Sequence, residues 1–193
     1  MLQPPRASRW PHSAFPSKTC THPILALVPH SPGQVLDVGC GIGRDAAALA
    51  AMGHRVLAVE PMAEFLQFAA SRHPESTIEW RNDSLPLLET ITSASGSFDF
   101  VLASAVWHHL DDSQRAIAMA RIATLTRPGG IFALSLRNGP AGQGHHVSPT
   151  NAEATRQLAE HNGFTTRTIR TNLPSLIPGK PLVKWSKLAF QRD

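Results

Sequence analysis

Tyrosine is missing from this 193-residue chain, and cysteine occurs only at Cys20 and Cys40. Two cysteines cannot build the disulfide framework of a small secreted domain, so a reducing cytoplasm is the expected compartment. No apolar stretch reaches the roughly 18 residues of a membrane-crossing helix, so none is expected and no membrane partner is called for. Met1 to Lys18 holds Arg6, Arg9 and Lys18 without an acid, yet proline, histidine and serine interrupt it too often for a signal-peptide core. No run of five basic residues occurs either, and without tyrosine no basic aromatic platform for nucleic acid is evident.

What is present suits one folded domain. Hydrophobic residues make up 42% of the chain, enough for a buried sheet at this length. The net charge of +4 is unevenly spread. Residues 34–136 hold seven Lys or Arg against eleven Asp or Glu, whereas residues 137–193 hold eight against three. An acidic middle with basic flanks bears on association rather than fold.

The chemistry begins at Val35-Leu36-Asp37-Val38-Gly39-Cys40-Gly41-Ile42-Gly43-Arg44. An apolar strand runs into three alternating glycines and then into an alanine-rich helix. Glycine at alternate positions removes each Cβ where the chain turns, so backbone N–H groups can approach a ligand. A dinucleotide loop reads G-x-G-x-x-G and faces a pyrophosphate. Here the third glycine comes one residue early, and Arg44 stands where that pattern wants glycine. Asp37, two residues before the first glycine, would repel a pyrophosphate but suits a ligand bearing a cation. S-adenosylmethionine carries a sulfonium and an amino group and no phosphate. A second buried strand, Arg55 to Val59, ends in Glu60, 21 residues past Gly39. A carboxylate about 20 residues beyond the loop is placed to receive both ribose hydroxyls, a feature that NAD enzymes share.

The D-x-G-x-G-x-G pattern resembles motif I of the class I S-adenosylmethionine-dependent methyltransferases. The resemblance extends over residues 33 to 137, in family order: the Arg81-Asn82-Asp83-Ser84 loop, the strand Phe98-Asp99-Phe100-Val101, and Arg127-Pro128-Gly129-Gly130 before a fifth strand. It implies a Rossmann-like, doubly wound α/β sheet of order 3-2-1-4-5-7-6 with strand 7 antiparallel, spanning residues 23–193 after a divergent, poorly ordered segment 1–22. It also implies S-adenosylmethionine as cofactor. The contact positions would be Asp37, Gly39, Cys40, Gly41, Gly43, Glu60, Pro61, Asn82, Asp83, Ser84, Ala103 and Ser104. Asp83 would accept from the adenine amine, although an aspartate before a proline-containing stretch is also an ordinary turn residue. Thr165 to Thr171 and Val183 to Phe190 would form the edge hairpin. Thr150-Asn151-Ala152-Glu153 reads as the capping box of the preceding helix, and Asp111 or Asp112 as the cap of the helix before strand five.

Catalytic candidates lie at the ends of strands four and five. His108, beside Trp107 and His109, titrates near neutrality and could take an acceptor's proton; packing on the adenosine or capping the next helix is the plainer alternative. Trp107 is either a wall of the acceptor pocket or core packing. Arg137 could clamp a carboxylate or phosphate with its planar fork, or pair with Asp99. His145 and His146 pair within a glycine-rich loop, but no acids or cysteines cluster with them and no metal is expected. The leading expectation is methyl transfer to a small-molecule acceptor. An RNA or tRNA methyltransferase is the alternative, as is a non-catalytic remnant, because the resembled enzymes carry N-terminal helices over the cofactor that residues 1–22 do not match.

Overall fold

The computed structural model describes residues 27–74, 77–92, 98–140, 147–175 and 179–193. The divergent segment 1–22 and the pair His145 and His146 lie outside them. The elements alternate as expected: β1 (Gln34–Val38), α1 (Arg44–Ala51), β2 (Arg55–Val59), α2 (Ala63–Arg72), β3 (Ile78–Arg81), β4 (Phe98–Ala103), a 3-10 turn (Trp107–His109), α3 (Asp112–Leu125), β5 (Thr126–Asn138), α4 (Ala152–His161), β6 (Phe164–Pro174) and β7 (Lys184–Arg192). They form one seven-stranded sheet of order β3-β2-β1-β4-β5-β7-β6. The first five strands are parallel, and β7 runs antiparallel to both β5 and β6.

Alternation of side chains along each strand divides the core into two layers. Leu36, Val38, Leu57, Val59, Val101 and Leu134 face α3 and α4, while Val35, Val56, Ala58, Phe100 and Leu102 face α1. The central strands are apolar on both faces, as a parallel sheet covered by helices requires.

Three local expectations are corrected. The Pro128-Gly129-Gly130 stretch lies inside β5 as a bulge, with the β4 register jumping from Phe98↔Thr126 to Phe100↔Ile131. The cap of α4 is Asn151, whose side chain accepts from Ala154 N at 2.9 Å; Thr150 instead places Oγ1 2.8 Å from Asn138 Oδ1. Asp99 is paired with Arg127 and accepts from Gln34 N, at the amino ends of the strands, so it does not meet Arg137 at the other end. The α3 cap is Asp111, in a reciprocal capping box with Gln114.

Candidate cofactor and acceptor site

The carboxyl ends of β1, β2 and β4 converge, and the glycine loop lies over them. Gly39 N and Cys40 N both donate to Val59 O, at 2.8 and 3.0 Å, which fastens the loop to the end of β2. Each glycine answers a different demand. A Cβ on Gly39 would lie 2.5 Å from Val106 Cγ2, and one on Gly43 would lie 2.5 Å from the Trp80 ring. A Cβ on Gly41 would meet nothing within 4 Å. The outer glycines are therefore required by the protein's own packing, and the middle one opens a cradle.

Two carboxylates flank that cradle. Glu60 is buried and accepts one backbone N–H on each oxygen, from Gly41 and from Met62, both at 3.0 Å. Each oxygen keeps a lone pair, so a diol can still donate to both. Asn82 steadies the chain behind it by donating to Glu60 O and Pro61 O, at 3.1 and 3.0 Å. Asp37 is 1% exposed and its Oδ2 has no hydrogen-bond partner. Burial, reinforced by the nearby Asp45, raises its carboxyl well above the ordinary range. A buried carboxyl with one oxygen left unpartnered, beside an open glycine, fits a ligand that brings its own cation. The donor set thus fits S-adenosylmethionine: an acid for the amino group, an acid for the ribose, and space over Gly41. Burial also pushes the Cys40 thiol upward, so Cys40 is neutral and unsuited to nucleophilic attack.

The third loop is arranged differently from its sequence reading. Asp83 Oδ1 accepts from Ser84 N and Glu89 N, and Oδ2 accepts from Thr90 N at 2.9 Å and Thr90 Oγ1 at 2.6 Å. The carboxylate thus clasps the loop 84–90, in which buried Leu88 takes a φ of 48°. After β4, Ala103 is buried, Ser104 half-buried, and Ala105 adopts a φ of 61°. Its N–H donates to Ser135 Oγ at 2.8 Å.

The acceptor side gathers around the 3-10 turn. Trp107 is fully buried against Phe132, with ring centroids 6.1 Å apart, so it is core packing. His108 is 4% exposed, lies tilted against His109 with ring centroids 4.2 Å apart and meets Trp185 edge-on at 6.2 Å. Its Nδ1 has no partner. Burial first, then the positive charges of His109, Arg137 and Arg115, lower its pKa to about 4. The imidazole is neutral at physiological pH. Arg137 donates only to two carbonyls, Gly139 O at 3.3 Å and Pro140 O at 2.6 Å. Behind the turn, the buried Arg115 guanidinium binds Trp107 O, Pro149 O, Ser148 O and Asp112 Oδ1. Ser148 N in turn donates to His108 O at 2.9 Å. Arg115 therefore straps residues 148–149 to the turn that carries His108.

Sequence reasoning missed Val106, Ser135, Arg115 and Trp185. Arg115 had a signal: it precedes Ala118, Met119 and Ile122 at helical spacing, a charge on the core face. Ser135 interrupts an apolar strand. Val106 and Trp185 carried no local sign. Among the described residues no group of His, Cys, Asp or Glu could hold a metal ion, and no helix is long and apolar enough to cross a membrane.

Residues 35–130 match the methyltransferase domain family model. The chain is 32% identical over 167 residues to an uncharacterized methyltransferase of Mycobacterium tuberculosis, covering 80% of this chain and 82% of that one. It is 35% identical over 107 residues to a ubiquinone biosynthesis O-methyltransferase of Methylocella silvestris, covering 53% of this chain and 40% of the relative. Among solved structures, an S-adenosylmethionine-dependent methyltransferase from Mesorhizobium loti superposes with a TM-score of 0.74 at 15% identity, covering 92% of this chain and 98% of the other. The 1,6-didemethyltoxoflavin-N1-methyltransferase of Burkholderia thailandensis, with its substrate and S-adenosylhomocysteine bound, superposes with a TM-score of 0.66 at 26% identity, covering 89% and 74%.

Proposed function

This chain belongs to the class I S-adenosylmethionine-dependent methyltransferases, and from that premise we propose that its acceptor is a small molecule, held between the glycine loop and the His108–Arg137 rim. The single observation carrying this reading is the buried, unpartnered, neutral His108 at the carboxyl end of the sheet, walled by His109 and Trp185. Bound S-adenosylmethionine supplies an activated methyl carbon and a thioether leaving group. Asp37 and Glu60 hold its amino group and ribose, with Gly39, Cys40, Gly41, Gly43, Pro61, Asn82, Ser84, Ala103 and Ser104 around it; Asp83 shapes the adenine-side loop. Orientation of a nucleophile near the methyl carbon can contribute much of the rate. For a hydroxyl acceptor, His108 takes the departing proton at Nδ1. Arg137 orients the acceptor. The ubiquinone-biosynthesis relative is named for O-methylation, and the toxoflavin neighbour was solved with a small heterocycle; both support a small acceptor.

The test is to incubate the protein with methyl-labelled S-adenosylmethionine and, separately, with a metabolite extract, total RNA and total protein. Label in the metabolite fraction, lost in His108→Asn, is expected. Label confined to RNA or protein would overturn the small-molecule reading.

A further inference from the structure

The acceptor-side rim carries positive charge that the protein does not neutralise. The permanently charged groups acting on His108 are both guanidiniums, Arg137 and Arg115. Arg137 has no ion-pair partner among the described residues and spends its bonds on two carbonyls of its own loop. The β5–β7 register places Arg137 opposite Trp185 and Asn138 opposite Lys184. Alternation along the strands sets Arg137 and Trp185 on one face, and Asn138 with the exposed Lys184 on the other, toward α4.

The acids at the starts of α3 and α4 are already engaged. Asp111 caps α3, Asp112 pairs with Arg115, and Glu153 binds Arg156. Arg137 is thus left without a counter-charge, and an anion meeting an unpaired guanidinium gains from it. Beside the charge lies an aromatic surface, Trp185, half-buried and edge-on to His108.

We propose that this rim binds an anionic acceptor: a small planar molecule whose carboxylate pairs with the Arg137 fork, its ring lying on Trp185 and its nucleophilic hydroxyl directed toward His108. The inference rests on the methyltransferase reading above and adds the acceptor's charge to it. Arg137 suits the role because its guanidinium presents two parallel donors to a carboxylate, and moving from two carbonyls to a charged partner strengthens each bond. Asn138 and Thr150 fix the backbone of Arg137, since Thr150 Oγ1 lies 3.1 Å from Arg137 O and 2.8 Å from Asn138 Oδ1. The strand end that carries the fork is therefore held in place.

The experiment is calorimetric titration of the full chain, saturated with S-adenosylhomocysteine so that no turnover occurs. The probes are 2-, 3- and 4-hydroxybenzoate and the three matching hydroxybenzamides, which keep shape and hydroxyl but lose the charge. At least one acid should bind about ten-fold or more tightly than its amide, the usual advantage of a charge-assisted over a neutral pair. Arg137→Gln should abolish that preference, Lys184→Gln, on the opposite face of the sheet, should leave it intact, and neither should change affinity for S-adenosylhomocysteine. Equal binding of acids and amides, a preference that survives Arg137→Gln, or no acid binding at millimolar concentration would each overturn the proposal. Failure of S-adenosylhomocysteine itself to bind would be read in the first titration, and would strike the methyltransferase reading and this inference together.

Discussion

At the scale of single residues, the amino-group role proposed for Asp37 has a consequence for its charge. In the free protein its carboxyl is buried, lacks a partner on Oδ2 and holds its proton to higher pH than usual. An ammonium placed beside it favours the ionised form and lowers that pKa. Binding must then release a proton, and affinity must rise with pH. Titration of S-adenosylmethionine in buffers of differing ionisation enthalpy should reveal this release, and Asp37→Asn should remove it. The same variant should lose roughly 1.5 to 3 kcal/mol of binding, the value of a hydrogen bond to a charged group. Glu60→Gln should weaken binding by a similar amount and diminish the proton release only in part, because the Glu60 charge is a minor contributor to the raised Asp37 pKa beside burial and Asp45. An unchanged proton count in Asp37→Asn would remove Asp37 from the amino-group role. The sequence exposed both acids through spacing alone. For Asp83 it left an adenine contact and a turn residue open, and the four bonds that draw its carboxylate into the loop, from residues as far on as Thr90, are those of a turn residue.

At the scale of elements, the strand-loop-helix unit separates stability from binding within three glycines. Gly39→Ala and Gly43→Ala each drive a methyl into a neighbour 2.5 Å away, in backbone at φ of 67° and 82° that already resists a side chain. Overpacking of this kind costs about 1 to 3 kcal/mol, added to a left-handed penalty of about 1 to 2 kcal/mol. Gly41→Ala meets only the second cost. Thermal melts should therefore rank Gly41→Ala well above the other two, while calorimetry should show that Gly41→Ala still loses the cofactor, because its methyl enters the cradle. Val106→Ala combined with Gly39→Ala should recover part of the lost stability, since Val106 Cγ2 is the atom struck. Equal melting points across the three single variants would refute the division. The first strands and the helices were legible from apolar periodicity, and strands four and five from the family resemblance, with most boundaries correct to within a residue or two; the 3-10 turn Trp107–His109 was not foreseen. The β5 bulge was not, because Pro128-Gly129-Gly130 reads as a turn until the neighbouring strand captures it. Nor was the cap of α4: Thr150 and Asn151 are equally good capping types, and the choice was made by Asn138, twelve residues away.

At the scale of the whole molecule, sheet order brings together groups that the sequence keeps far apart. His108 from the 3-10 turn, Arg137 from β5, Trp185 from β7 and Arg115 from α3 span much of the chain, which is why periodicity and local motifs found the first two and not the last two. Their assembly also shapes the response to acid. His108, with an ordinary value of 6.5, is held down to about 4 by burial and by the surrounding cations. Between about pH 6.5 and about pH 4 the unfolded chain binds a proton at this position that the folded protein refuses, so stability falls as pH falls through that window. Asp37 acts in the opposite sense, since its raised pKa lets the folded protein take a proton before the unfolded chain does. The two groups are separable by substitution. In His108→Asn the acid loss assigned to the imidazole disappears while Asp37 remains, so the stability difference between the native chain and the variant should shrink on going from about pH 7 to about pH 4, by no more than a few kcal/mol at about 1.4 kcal/mol per unit. Urea unfolding at closely spaced pH values measures it. Parallel pH profiles for the two proteins would mean that His108 is open to protonation in the folded state, and the neutral imidazole on which the acceptor chemistry depends would be lost.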